Sequence, residues 1–302
     1  MQPPELLGAP NGTAFVADAH MISIITPSFN QIEWLRLAVA SVADQEGVEY
    51  EHIIQDGGTD GIKEIVQSEF GNLGKRLQVF VEKDAGMYDA VNRGLRRGSG
   101  EICAYLNCDE QYLPGALSHV VSVFQRNPKM DILLAGSVVV DGNGQYICNR
   151  PALKPSLRHL QAGQMYNLTC SIFFHARLVR ERKLLFDPSL RMIGDLDWLR
   201  RVVETGGRIA TSDFLTSAFS DLGTNLALSA EASAEIARMR ASKHPWRKLS
   251  FAALVASHRA SRLLAGHYRL RPFDYAIYTL RNNRERQIFH VAKPTGVWRN
   301  RL

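Results

Sequence analysis

The sequence predicts an α/β fold with a Rossmann-like, mostly parallel sheet flanked by helices. Short apolar or β-branched runs alternate with stretches whose apolar residues recur at helical spacing. Each of the first four runs stops at a polar turn bearing Gly, Pro, Asn or Asp. Right-handed βαβ connections between neighbouring parallel strands then bring those polar ends to one crevice, the place where open α/β sheets bind ligands.

Ile22 to Phe29, ISIITPSF, is the first strand, closed by Pro27 and Asn30, and Trp34, Leu35, Ala38, Val39 and Val42 follow at helical spacing. Tyr50 to Asp56, YEHIIQD, is the second; it breaks at Gly57 and Gly58, and Ile62, Ile65 and Val66 resume a helical pattern. Leu77 to Val81 is the third, ending near Asp84 and Gly86, and the helix after it carries Asp89 and Asn92 three apart on one face. Ile102 to Leu106 is the fourth and delivers Asn107, Asp109 and Glu110 to the same edge. An oxygen-only cluster of this kind suits a hard cation such as Mg²⁺ or Mn²⁺ holding phosphates; an acidic strand-ending turn is the alternative. Asp56 and Asp84 have the same two readings, because Asp is favoured in turns for its own backbone hydrogen bonds.

Further along, Met130 to Val140 and Gln145 to Cys148 flank Asp141-Gly142-Asn143-Gly144 and predict a hairpin. Pro151 to Cys170 lacks apolar periodicity. Phe186 to Thr205 places Asp195 and Asp197 just before a helix whose inward face is Trp198, Leu199, Val202 and Val203. Arg200 and Arg201 in that helix face either a phosphate or solvent. Phe214 to Phe219 predicts a strand leaving into the small polar loop Ser220 to Asn225.

Four pieces, ISIITPSFN, IIQDGGTDG, EKDAGMYDAVNRGLRRGSGEI and YLNCDE, stand in an order and spacing that resemble glycosyltransferase family 2, the inverting nucleotide-sugar enzymes of GT-A fold, over Met21 to Asn225. The resemblance implies Thr26 and Pro27 beside the nucleobase, Asp56 accepting from the base, and Asp84 near base or ribose. It makes Asp109 the ligand of a divalent cation, Mn²⁺ or Mg²⁺, that bridges the donor diphosphate. Asn107 stands where the family's motif has its first acid, and Glu110 replaces the final acid of the common form. Asp195 matches the catalytic base, with a helix cap as the alternative, and Asp197 is a cap or acceptor contact. Gly223 lies in a loop that in relatives closes over the diphosphate. Asp89, Asn92 and Glu110 are further candidates, and residues 151–170 become the acceptor side, without the His-Gln pair that relatives often carry there.

The 302 residues, 45% hydrophobic and 22% charged, bury one large core plus an appendage. Residues 1–20 read as a loose leader without signal or anchor character. A GT-A domain spans 21–225, with a nucleotide-sugar half at about 21–128 and an acceptor half at about 129–225. Residues 226–302 read as a basic, mainly helical region. The excess of Arg and Lys there accounts for the net charge of +6. This region either lies on an anionic membrane surface or forms a solvated subdomain on the core. The four cysteines form no C-x-x-C pair, which predicts a reduced, cytoplasmic setting, with peripheral attachment to the inner membrane face. The expected reaction is sugar transfer from a nucleoside-diphosphate sugar to an acceptor hydroxyl, on a glycan or lipid-linked glycan of surface polysaccharide assembly. A sugar nucleotidyltransferase is the alternative, and it is opposed by the lack of a glycine-rich, lysine-bearing phosphate loop near Ile22 to Gln31. A nucleic-acid-binding role rests on the basic tail alone, which carries no recognition motif.

Overall fold

The computed structural model describes residues 20–223, 229–241 and 251–298. The expected leader therefore lies outside the described residues except for His20. The chain runs β1 (Ile22–Ser28), α1 (Ile32–Ala43), β2 (Tyr50–Asp56), α2 (Ile62–Phe70), β3 (Leu77–Val81), α3 (Met87–Arg97), β4 (Ile102–Tyr105), β5 (Glu110–Tyr112) and α4 (Ala116–Arg126). It continues with β6 (Ile132–Asp141), β7 (Tyr146–Arg150), α5 (Leu157–Gln161), β8 (Ile172–His175), α6 (Arg177–Arg180), α7 (Gly194–Glu204) and β9 (Ile209–Asp221). After these come α8 (Ala230–Ala241), α9 (Phe251–Leu264), β10 (Phe273–Thr279) and β11 (Asn282–Val291).

Among the described residues the main sheet has nine strands in the order β3-β2-β1-β4-β8-β6-β9-β5, with β7 beside β6. Its N-terminal half, β3-β2-β1-β4, is parallel throughout, as the alternation of strand and helix patterns predicts. The other half is mixed: β8 runs antiparallel to β4 and β6, whereas β9 runs parallel to β6. The expected hairpin at 130–148 is β6 and β7, paired antiparallel.

β1, β2 and β4 are buried on both faces, and their period-two alternation divides the core. Ile25, Cys103 and Tyr105 point to one face, where Val91 and Leu95 of α3 and Trp198, Leu199 and Val202 of α7 cover them. Ile22, Ile24, Ile102 and Ala104 point to the other, against Ala38 and Val42 of α1 and Leu117 and Val120 of α4. Burying such side chains contributes about 1.5–3 kcal/mol each, so the sheet edge carrying the polar residues is a rigid platform.

The C-terminal region corrects the helical expectation. Among the described residues of this region only α8 and α9 are helical, and residues 273–291 form an antiparallel hairpin. That hairpin packs on the core: Tyr275 and Ile277 meet Val138, Val140 and Leu113. Gln111 exchanges two hydrogen bonds with the Tyr278 backbone, at 2.9 Å each. Asp44 accepts from the Tyr278 hydroxyl at 2.8 Å and from Arg286 at 2.7 Å. Arg286 of the basic region is thus tied to α1 and the residue that follows it rather than presented to solvent.

Candidate active site

A cavity of about 1070 Å³ opens where β1 and β4 end. Pro27, Asp84, Asn107 and Asp109 line one side, and Tyr88, Thr169 and Asp195 line the other. Five of the expected residues, Pro27, Asp84, Asn107, Asp109 and Asp195, therefore share one cavity although up to 168 positions separate them in sequence.

The remaining candidates stand elsewhere, each for a physical reason. Thr26 alternates inward from Pro27 and is fully buried, its hydroxyl 2.8 Å from His52 Nε2. Burial pushes the His52 imidazole down to about 3, so the pair is neutral. Asp56 is buried and braces its own turn, accepting from the Gly58 and Thr59 N–H groups at 2.9 and 2.6 Å and from the Thr59 hydroxyl at 2.9 Å. These bonds fit the turn reading of Asp56, which does not line the cavity. Asp89 accepts from Ala85 N–H at 3.0 Å and pairs with Arg93 at 2.9 Å. Buried Asn92 brackets the Phe186 peptide, donating at 2.8 Å and accepting at 2.9 Å. Asp197 is no cap: it pairs with Arg200 at 2.6 Å and Arg201 at 2.7 Å, which also takes both arginines away from any phosphate role. Gly223, at φ +76, has open space where a side chain would stand and does not line the cavity. The neighbouring Ser220, Asp221 and Leu222 do line it, whereas residues 224 and 225 of the expected loop lie outside the described residues.

Asp109 and Glu110 illustrate how neighbouring acids part company. Asp109 faces the cavity, and among the described residues no other side chain hydrogen-bonds its carboxylate. Glu110 turns inward and is fully buried; its Oε2 accepts from Asn107 N–H at 2.8 Å, and its Oε1 has no partner. Burial raises the Asp109 carboxyl above the usual range. Burial and then the Asp109 charge push Glu110 up to about 8, with Asp195 adding to the effect. Near neutral pH Glu110 thus holds its proton, and Asp109 is the carboxylate left to meet a ligand. Asp84 uses one oxygen on Gly86 N–H at 2.8 Å, while its other lies 3.1 Å from where a Gly57 Cβ would be, a tight approach that glycine eases.

Asp195 sits in the first turn of α7. Burial lifts its carboxyl above the usual range, countered by the Leu196 N–H at 2.8 Å and by the Tyr88 and Thr169 hydroxyls. The Tyr88 hydroxyl lies 3.4 Å from Asp195 Oδ1. Gly194 permits this meeting, since a Cβ there would fall 2.5 Å from the Tyr88 ring. Beneath it Tyr88 stacks on Phe186 at 5.7 Å and Phe186 on Trp198 at 5.1 Å, fixing the floor of the site. Tyr88, Thr169 and Arg191 escaped the sequence reading. Tyr88 and Asn92 stand four apart in one helix, a spacing that places both against the Phe186 segment.

Asp109 offers hard oxygen to the cavity, and Asn107 stands beside it. Among the described residues no group of three or more His, Cys, Asp or Glu side chains is placed to hold a metal. Such a donor set fits a hard cation whose other ligands are phosphate oxygens and water, and it does not fit a closed structural metal site.

A Rossmann-like sheet with a carboxylate-bearing cavity at its strand ends defines a protein of the α/β class whose ligand crevice lies at the strand ends. Residues 23–185, more than half the chain, match the model of glycosyl transferase family 2, and the chain belongs to that family. It is 29% identical over 147 residues to a PGL/p-HBAD biosynthesis glycosyltransferase of Mycobacterium tuberculosis, covering 47% of this chain and 57% of that one. It is 34% identical over 94 residues to a putative teichuronic acid biosynthesis glycosyltransferase, TuaG, of Bacillus subtilis, covering 30% of this chain and 37% of that one. These matches span 57% of the first relative's length and 37% of the second's. The crystal structure of S. aureus TarS 1-349 in complex with UDP superposes with a TM-score of 0.57 at 20% identity, covering 81% of this chain and 72% of that one. The shared fold is GT-A, as the sequence resemblance implies.

Proposed function

We propose that this chain is an inverting glycosyltransferase, moving a sugar from a nucleoside-diphosphate sugar to an acceptor hydroxyl. One observation carries the reading: Asp109 and Asp195, from opposite halves of the domain, line the same cavity, and each is a carboxylate with a distinct environment. Pro27 and Asp84 bound the part of the cavity that fits the nucleoside. Asp109, with Asn107 beside it, would hold Mn²⁺ or Mg²⁺ shared with the diphosphate. When bound, such a cation supplies positive charge against the negative charge that develops on the leaving diphosphate. Asp195 Oδ takes the proton from the acceptor hydroxyl as that oxygen attacks the anomeric carbon opposite the leaving group. Tyr88 and Thr169 orient the carboxylate for that transfer.

The relatives named for teichuronic acid and for PGL/p-HBAD biosynthesis support a glycan or lipid-linked glycan acceptor. No helix of the described residues is long and apolar enough to cross a membrane. Leu263 and Leu264, 67% and 88% exposed at the end of α9, stand among exposed Arg259, Arg269 and Arg271. Exposed leucines with exposed arginines close by in sequence suit peripheral attachment to an anionic, cytoplasmic leaflet, where each basic residue contributes about 1 kcal/mol. Hydrolysis of a panel of UDP- and GDP-sugars with and without Mn²⁺ tests the activity. Release of nucleoside diphosphate from at least one sugar is expected, and none from any would overturn the reading.

A further inference from the structure

The segment Arg191 to Ile193 leads into α7 two residues before Asp195, and its backbone bond into the helix is from Asp197 N–H to the Ile193 carbonyl, at 2.9 Å. Its three successive N–H groups all point at one side chain from far along the chain. Glu235 of α8 accepts from Arg191 N–H at 2.8 Å with Oε1, and from Met192 and Ile193 N–H at 3.0 and 3.1 Å with Oε2. Glu235 is 2% exposed, a burial that an acid tolerates only when paired or fully hydrogen-bonded. A second attachment lies alongside, where Ala232, Ile236 and Met239 of α8 pack on Ile193, Leu196 and Met165. Ile236 and Met192 reach the cavity lining itself. Charge-assisted hydrogen bonds to three consecutive amides fix a backbone more tightly than apolar packing does, because they are directional.

We infer that Glu235 is a positioning residue for Asp195: α8, which lies beyond the segment matching the family, completes the active site by anchoring the backbone that aims the base. The inference rests on the assignment of Asp195 as base. Each link has a geometric reason. Holding residues 191–193 sets the start of α7; the start of α7 sets the Asp195 carboxylate against Tyr88; and a base displaced by about 1 Å from its proton can cost up to about 10²-fold in rate. Donor binding is built from β1, the Asp84 turn and the Asn107–Asp109 turn, none of which touches Glu235; the one link is the Arg191 guanidinium, which donates to the Ala85 carbonyl beside Asp84.

Glu235→Ala and Glu235→Gln are compared with wild type in the full chain, using whichever nucleotide sugar of the UDP- and GDP-sugar panel is hydrolysed fastest. Glu235→Ala is expected to lower kcat about tenfold or more while the affinity for UDP with Mn²⁺, measured by calorimetry, changes by less than about twofold. Glu235→Gln keeps one oxygen for Met192 and Ile193 but turns an amide N–H₂ toward Arg191 N–H, so an intermediate loss is expected. It carries the same comparison should the alanine variant fail to fold. Amide exchange in residues 190–198 is expected to rise in both. The decisive arm is the Asp195→Asn background, where Glu235→Ala should cause no further loss if it acts through the base. An unchanged kcat in both Glu235 variants overturns the inference, and so does an equal fractional loss with and without the Asp195 carboxylate. Wild-type activity in Asp195→Asn alone would instead overturn the base assignment, and the two failures are told apart by that single variant.

Discussion

Glu110→Gln isolates the cost of keeping an acid behind the active site. The Glu110 carboxyl is pushed up to about 8 by burial and by Asp109, against an ordinary 4.5. A folded-state pKa raised above the unfolded one means that the stabilising contribution is complete below about 4.5 and is lost as pH rises toward 8. At about 1.4 kcal/mol per tenfold in proton affinity, the interval corresponds to at most about 5 kcal/mol. Relaxation of the protein and entry of water around the charge bring the expected effect nearer about 2 kcal/mol. Glutamine keeps an oxygen for Asn107 N–H, fills the same space, and never ionises. Urea unfolding of wild type and variant at pH 5, 6.5 and 8 reads the difference free of other titrating groups. The variant should gain on wild type by about 2 kcal/mol between pH 5 and 8. A difference that stays constant across that range, or one that shrinks as pH rises, would refute the account of this carboxyl.

Asp109→Ala should abolish Mn²⁺-dependent UDP binding in calorimetry with the thermal midpoint intact, and retained metal dependence would remove Asp109 as the cation's ligand. Asn92→Ala breaks the bracket on Phe186 and leaves a buried peptide unpaired, so a loss of about 1–3 kcal/mol is expected in urea unfolding; a change under about 0.5 kcal/mol would show the bracket to be dispensable. For membrane attachment, Leu263→Asp with Leu264→Asp should release the chain from vesicles containing anionic phospholipid, as should raising salt to about 1 M, where screening acts within about 3 Å. Undiminished sedimentation of that variant with such vesicles would move the docking surface elsewhere.

How much of this was legible beforehand differs by element. β1 through β4 and the helices between them follow from hydrophobic period, because buried parallel strands and amphipathic helices leave unmistakable spacings. Pairs of neighbouring polar residues were harder. Thr26 and Pro27, like Asp109 and Glu110, occupy adjacent positions whose side chains point opposite ways, and only the packed sheet decides which member meets the cavity. Asp56 belongs to a turn whose bonds are local, to Gly58 and Thr59, and the turn alternative was open from the sequence. The β10–β11 hairpin was hidden because Asn282 to Val291 carries mostly charged and polar residues and is largely exposed, so it lacks the alternation that marks a half-buried strand. Glu235 was hidden for a different reason: its partners lie 42 to 44 positions away, and nothing in the alanine-rich sequence of α8 separates this buried acid from the exposed Glu231.

Asp195→Asn tests the central claim most directly, because asparagine keeps the size of aspartate and an oxygen for the Leu196 N–H but takes no proton near neutral pH. Measured as nucleotide-sugar hydrolysis, with water in the acceptor's place, kcat should fall by roughly 10²-fold or more while the affinity for UDP with Mn²⁺ stays within about twofold of wild type. Near-wild-type turnover in this variant would contradict the account, leaving Asp195 a structural residue at the head of α7.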